Sequence, residues 1–249
     1  MNIAHILPVS IVDKVPRQPV EMYLTHLVLK YPETFEKVSN IGTPHQVKIL
    51  DNSNYELHRP CTIAELSKAA SIVGATEIVL PDMLWSYHGT IYSTYSALAK
   101  YKGDKKVVAV AQGRTWSEVF ACAAEFCAEP DIDVVGLPKY LADPKLPENL
   151  WRYKGRLVML YRLKEMFPNQ VFHFFGSTGG WEELVGGYLR DVRSMDTSLW
   201  MMYARLDLPI ESRRKPNLEA NVEHDVLTPE VAQMYIEVMN EFLMRGCQN

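Results

Sequence analysis

Three aspartates and a glutamine stand directly after short apolar runs of the chain. Ile49-Leu50 leads into Asp51-Asn52-Ser53-Asn54-Tyr55, Val79-Leu80 into Pro81-Asp82, Val110-Ala111 into Gln112-Gly113-Arg114, and Ser194-Met195 into Asp196-Thr197-Ser198. Two further runs end in glycine: Val134-Val135 before Gly136-Leu137-Pro138, and Phe174-Phe175 before Gly176-Ser177-Thr178-Gly179-Gly180. Two carboxylates in one pocket push their pKa values apart, so that one stays ionised while the other carries a proton. At any single position a local role competes. Asp or Asn after a strand caps a helix or makes a turn, Gln112 suits a solvated loop, and Tyr55 and Phe175 suit a core. The glycines after Phe175 suit a phosphate cradle or an ordinary turn. It is the recurrence of such residues at successive run ends that points to a site.

The elements that must position them alternate along the chain. Expected strands are Met22 to Leu29, Gln46 to Leu50, Glu77 to Leu80, Val107 to Ala111, Ile132 to Gly136, Val171 to Phe175 and Val192 to Met195. Between them, helix-period segments run over Thr62 to Val73, Thr90 to Tyr101, Trp116 to Ala128, Asn149 to Met166 and Gly179 to Arg190. Near-continuous apolar strands separated by amphipathic helices imply a parallel sheet covered by helices. Seven or eight such units in 249 residues favour a minimal, zinc-free (β/α)8 barrel of the TIM type, in which active sites form at the carboxyl ends of the strands. The eighth strand is the weak point, since the chain after Asp196 is irregular up to about Thr228. A last helix, Pro229 to Arg245, has Thr228 to cap it, proline at its first position and Gly246 at its end. Pro209 and Pro216, flanking Arg213-Arg214-Lys215, mark a loop, so residues 1–249 read as one domain.

Composition narrows the function classes. The chain is 47% hydrophobic and 22% charged with net charge −4, the profile of a globular protein without a generally basic surface. No apolar run reaches the length of a membrane span, and the first residues lack a basic region followed by an apolar core. A cytoplasmic location is expected, in the host cytoplasm if the chain is phage-encoded. Cysteines at 61, 122, 127 and 247 are too scattered for a disulfide framework or a thiolate zinc site, and neither metal nor cofactor is expected.

The order Asp51…Tyr55, Asp82, Gln112-Gly113, Gly136-Leu137, His173-Phe174-Phe175-Gly176 and Ser194-Met195-Asp196 resembles the tRNA-guanine transglycosylase family over roughly residues 45 to 200. Asp51-Asn52-Ser53-Asn54-Tyr55 stands where that family has Asp-Ser-Gly-Gly-Phe, and Ala111-Gln112-Gly113-Arg114 where it has Val-Gln-Gly-Gly. Phe174-Phe175-Gly176 stands for Leu-Met-Gly, and Met195-Asp196-Thr197 for Phe-Asp-Cys. The family's zinc-binding tail of three cysteines and a histidine is missing, and its Pro-Thr-Arg segment is replaced by Ser198-Leu199-Trp200-Met201. In these departures the chain is similar to phage-type enzymes that place 7-deazaguanines in DNA.

The resemblance implies an enzyme, a pentosyltransferase that exchanges guanine in a polynucleotide for a free 7-deazaguanine base such as 7-cyano-7-deazaguanine. DNA is the expected polymer and tRNA the alternative; an N-glycoside hydrolase and a non-catalytic nucleobase-binding subunit are the further alternatives. It implies Asp196 as the nucleophile that traps an oxocarbenium-like sugar and Asp51 as the proton carrier. Asp82 would accept from the donors of a guanine-like edge, while the Gln112 amide and the backbone N–H groups of Gly136 and Leu137 donate to its acceptors. Tyr55 and Phe175 would sandwich the base, next to Gly176. Arg205, Arg213, Arg214 and Lys215 are the expected phosphate contacts; Lys100 to Lys106 and Arg114 form a second basic group that also suits a solvated loop.

Overall fold

The computed structural model describes residues 2–39, 46–139, 153–176, 191–210 and 221–246. Strands apolar at consecutive positions need cover on both faces, and here eight of them close into a parallel barrel in chain order. They are β1 (Asn2–Ile6), β2 (Val20–Leu24), β3 (Val47–Asp51), β4 (Glu77–Val79), β5 (Lys106–Val110), β6 (Val134–Pro138), β7 (Val171–Phe175) and β8 (Ser194–Thr197). The helices are α1 (Thr25–Lys30), α2 (Pro32–Ser39), α3 (Asn54–Leu57), α4 (Ile63–Val73), α5 (Tyr87–Lys100), α6 (Trp116–Ala128), α7 (Tyr153–Met166), α8 (Leu199–Arg205) and α9 (Pro229–Gly246). No helix among the described residues is long and apolar enough to cross a membrane.

Side chains alternate across each strand, which divides the apolar residues into two cores. Ala4, Val20, Met22, Ile49, Val79, Val108, Val110 and Val134 pack inside the barrel. Leu50, Ile78, Ala109, Val135, Phe172, Phe174 and Met195 belong to the larger core shared with the helices. The same alternation turns polar residues inward. Asp196 is in register with Ala4 across β1 and β8, His173 with Gly136 across β6 and β7, and Asp51 lies two residues beyond Ile49. Helix starts are fixed locally: Thr62 forms a capping box with Glu65 at α4, Thr115 accepts from Glu118 N at α6, and Thr228 accepts from Val231 N at α9.

The structure differs from the sequence reading at two points. The run Met22 to Leu29 is not one strand: β2 ends at Leu24 and α1 begins at Thr25. No Gly, Pro or Asn punctuates that run; the turn into the helix is fastened instead by Thr25 Oγ1, which donates to Asp51 O at 2.5 Å. The strand missing from the sequence reading lies near the N-terminus, where β1 pairs with β2 on one side and β8 on the other. The stretch after Asp196 instead contains α8, with Leu199, Trp200, Met201 and Tyr203 buried. The expected helix over Gly179 to Arg190 lies outside the described residues, as do Cys247, Arg213, Arg214 and Lys215. Cys61, Cys122 and Cys127 are free thiols, and burial pushes their pKa values up to about 11, 12 and 12, which favours the protonated form at neutral pH.

Candidate active site

The carboxyl ends of the strands surround a pocket of about 280 Å³, the position in which a (β/α)8 barrel carries chemistry. Of the residues expected to act on a base, Asp51, Tyr55, Asp82, Gln112, Phe175, Gly176 and Asp196 all line it. Gly136 and Leu137 do not. They lie within β6, one step below the mouth, where the Gly136 carbonyl accepts from Ala111 N at 3.0 Å and Leu137 is fully buried.

Asp196 reaches the pocket from β8 and is held by one oxygen. Its Oδ1 accepts from the Gly176 backbone N–H at 2.9 Å and lies 3.2 Å from His173 Nε2, while Oδ2 accepts no hydrogen bond among the described residues. Gly176 can point its N–H this way because its φ is +67°, a left-handed conformation costly to other residues. Arg156 on α7 fixes the same strand end from behind. Fully buried, it donates to Phe175 O at 3.1 Å and Gly176 O at 2.9 Å, with its guanidinium 4.3 Å from the Phe174 ring centroid.

Asp51 ends β3, where its Oδ2 accepts from Ser53 N at 2.7 Å. Burial, reinforced by the negative charges of Glu56, Asp196 and Asp82, pushes its carboxyl well above the ordinary range; the Ser53 bond opposes this only partly. Glu56, an exposed rim residue on α3, is also raised, by desolvation and then by the Asp196 charge. The single turn α3 lies between Ser53 and His58, both in the left-handed region at φ 59° and 54°, and it carries Tyr55 to the rim with 63% of its surface exposed.

Asp82 is a buried hub. Its Oδ1 accepts from Asn52 Nδ2 at 2.8 Å and Asn54 Nδ2 at 3.1 Å, and its Oδ2 from Gln112 Nε2 at 2.7 Å. Burial raises its carboxyl, and these three amides pull it back. Gln112 therefore holds Asp82 with one amide hydrogen and keeps a second donor and a carbonyl for a ligand. Phe175 stands beside His173, with ring centroids 4.6 Å apart at 74°.

Arg205, expected at phosphates, ends α8 in an ion pair with the buried Asp225, Nη1 to Oδ1 at 2.9 Å. Lys139 is the only basic one among the described residues that lines the pocket. Among the described residues no group of three His, Cys, Asp or Glu is arranged to hold a metal ion.

Sequence reasoning assigned no role to Asn52, Asn54, Glu56, Lys139, Arg156 or His173. For His173 a signal existed: two positions before Phe175 on a strand, it must share the inward face that carries Phe175. For Arg156 there was none, since its partners lie 19 and 20 residues away across the barrel wall.

No protein-family model matches the chain, and no curated protein matches it. Among solved structures it is similar to the YdjI aldolase of Escherichia coli K12, at 12% identity and TM-score 0.55 over 99% of this chain and 88% of that one. It is also similar to the carboxyl transferase domain of Rhizobium etli pyruvate carboxylase with pyruvate and biocytin, at 11% identity and TM-score 0.54 over 97% of this chain and 47% of that one. At such identities the likeness shows the fold alone, the (β/α)8 barrel.

Proposed function

We propose that the protein is a base-exchange transglycosylase that replaces guanine in a polynucleotide, preferably DNA, by a 7-deazaguanine such as 7-cyano-7-deazaguanine. One observation carries the reading. Asp196 lines the pocket and, among the described residues, is anchored through Oδ1 alone, and the same pocket holds Asp51, whose carboxyl is raised. That is the division between nucleophile and proton carrier that glycosidic exchange requires.

In the first half-reaction Asp196 Oδ2 bonds to the sugar C1′ as the C1′–N9 bond breaks, and its electron pair leaves with guanine. Asp51 delivers the proton that departing guanine needs and becomes ionised. The incoming base then gives its N9 proton back to Asp51, N9 attacks C1′, and the ester to Asp196 breaks. Atoms and charge balance over the cycle, and both carboxyls return to their starting states. Asp82, with Gln112, faces the base edge, between Tyr55 at the rim and Phe175 at the wall.

The preference for DNA rests on Ser198-Leu199-Trp200-Met201 in place of Pro-Thr-Arg. The test offers equal masses of duplex DNA and unmodified tRNA with labelled 7-cyano-7-deazaguanine. Label in DNA supports the full reading, and label in tRNA alone overturns the choice of polymer. Release of guanine without incorporation indicates a hydrolase. Neither release nor incorporation overturns the reading as a whole.

A further inference from the structure

A chain of polar side chains runs up the inside of the barrel to Asp196. At its foot Glu77, on β4 and 2% exposed, takes the Arg193 guanidinium in a two-pronged pair, Nη1 to Oε1 at 2.5 Å and Nη2 to Oε2 at 2.9 Å. The third donor of that guanidinium, Nε, donates to Ser194 Oγ at 3.2 Å. Ser194 Oγ lies 2.8 Å from His173 Nδ1, and His173 Nε2 lies 3.2 Å from Asp196 Oδ1. Ser194 and His173 are fully buried and in register across β7 and β8.

The direction of this chain follows from its two ends. A guanidinium has donors and no acceptor, so Ser194 Oγ must accept from Arg193. At the other end the Asp196 carboxylate has acceptors only, so a neutral imidazole presents Nε2–H to Oδ1 and leaves Nδ1 to accept the Ser194 hydroxyl hydrogen. We propose that His173 is a positioning residue for Asp196, locked as the Nε2–H tautomer by a one-way hydrogen-bond chain from Glu77 through Arg193 and Ser194.

The consequence for Asp196 is geometric. Two donors, His173 Nε2–H and Gly176 N–H, fix Oδ1 and therefore the plane of the carboxylate, which keeps Oδ2 aimed into the pocket. Burial lowers the imidazole pKa against the pull of Asp196, so the donor is neutral. A neutral donor orients a nucleophile without the full charge that would blunt it. The opposite tautomer would set the Nε2 lone pair against a carboxylate oxygen. The role in catalysis rests on the reading of Asp196 as the attacking group; the tautomer does not.

Two measurements on the full chain test this. Nitrogen-15 NMR of histidine-labelled protein, with His173 assigned by its loss in His173→Gln, should place the proton on Nε2 from about pH 6 to 8, and Ser194→Ala should weaken that bias. In the exchange assay His173→Leu should lower kcat by about 100-fold with KM for the free base within about twofold. His173→Gln, whose amide nitrogen falls near the position of Nε2, should recover kcat to within about tenfold of the parent. A proton on Nδ1 in the parent protein overturns the proposal, as does a His173→Leu variant with unchanged kcat. So does a His173→Gln variant no better than a folded His173→Leu. If the parent protein exchanges no base, the transglycosylase reading fails, while the NMR measurement still decides the tautomer.

Discussion

The ring of Phe175 occupies the space that a side chain at position 136 would need: a Cβ there would lie 2.5 Å from Phe175 Cε2 and 3.1 Å from Val110 Cγ2. Glycine at 136 therefore lets an aromatic wall of the pocket seat itself one layer above. Gly136→Ala should force the ring toward the pocket. Overpacking of this kind costs about 1–3 kcal/mol, read as a lower urea midpoint, and KM for the free base should rise by about tenfold. An alanine variant with parental stability and KM would show that the ring has room to move elsewhere.

Asp51 should be a stability liability near neutral pH. Its carboxyl is raised in the folded protein, so the fold binds the proton more tightly than the unfolded chain does. Stability from this group is present at low pH and is lost as pH rises from the ordinary carboxylate range through the raised value. Asp51→Asn should therefore unfold at a higher temperature than the parent at pH 7, and the advantage should vanish as pH falls to about 4. Each kcal/mol corresponds to roughly 2–4 °C in Tm for a chain of this size. The same variant should lose exchange activity. A lower Tm than the parent at pH 7 would contradict the electrostatic argument.

The site and the barrel were legible in the sequence to different depths. Strands such as Val171–Phe175 announce themselves as apolar runs that stop at a polar or glycine residue, and the carboxylates follow directly from those ends. Asn2–Ile6 does not, because five residues that include Asn2 and His5 carry no strand signal alone. His5 is made acceptable by Asn240, which is 235 residues away and 3.0 Å from its Nε2. The break between Leu24 and Thr25 lacks any turn residue, and Leu199–Arg205 is too uniformly apolar at its start to show a helical period. Asp82 could be named from its place after Val79-Leu80, whereas its three amide partners come from two different loops and are set by tertiary geometry.

Arg156 should matter for folding more than its distance from the pocket suggests. Arg156→Met keeps an apolar stem and removes the donors to Phe175 O and Gly176 O. Leaving two partly buried carbonyls without these donors should cost on the order of 1–3 kcal/mol, measurable by urea unfolding. Unchanged stability would mean that water replaces the guanidinium there.

Arg205 and the Arg213-Arg214 pair should behave differently. Arg205 is engaged with Asp225, so Arg205→Ala should lower stability with little effect on the salt dependence of DNA binding. Changing Arg213 and Arg214 together to alanine should weaken DNA binding and reduce the slope of log K against log salt by about 1 per arginine. An unchanged slope in the double variant would remove that segment from the DNA contacts.

The chemistry through Asp196 is tested most directly by trapping the sugar–enzyme ester. Protein, guanine-containing duplex DNA and no incoming base should give a species that survives denaturing electrophoresis, with the cross-link mapped by mass spectrometry to the peptide carrying Asp196. Added 7-cyano-7-deazaguanine should chase it into modified DNA, and Asp196→Ala should form neither adduct nor product while retaining its fold. An adduct mapped to another residue, or base exchange by Asp196→Ala at near the parental rate, would contradict the assignment.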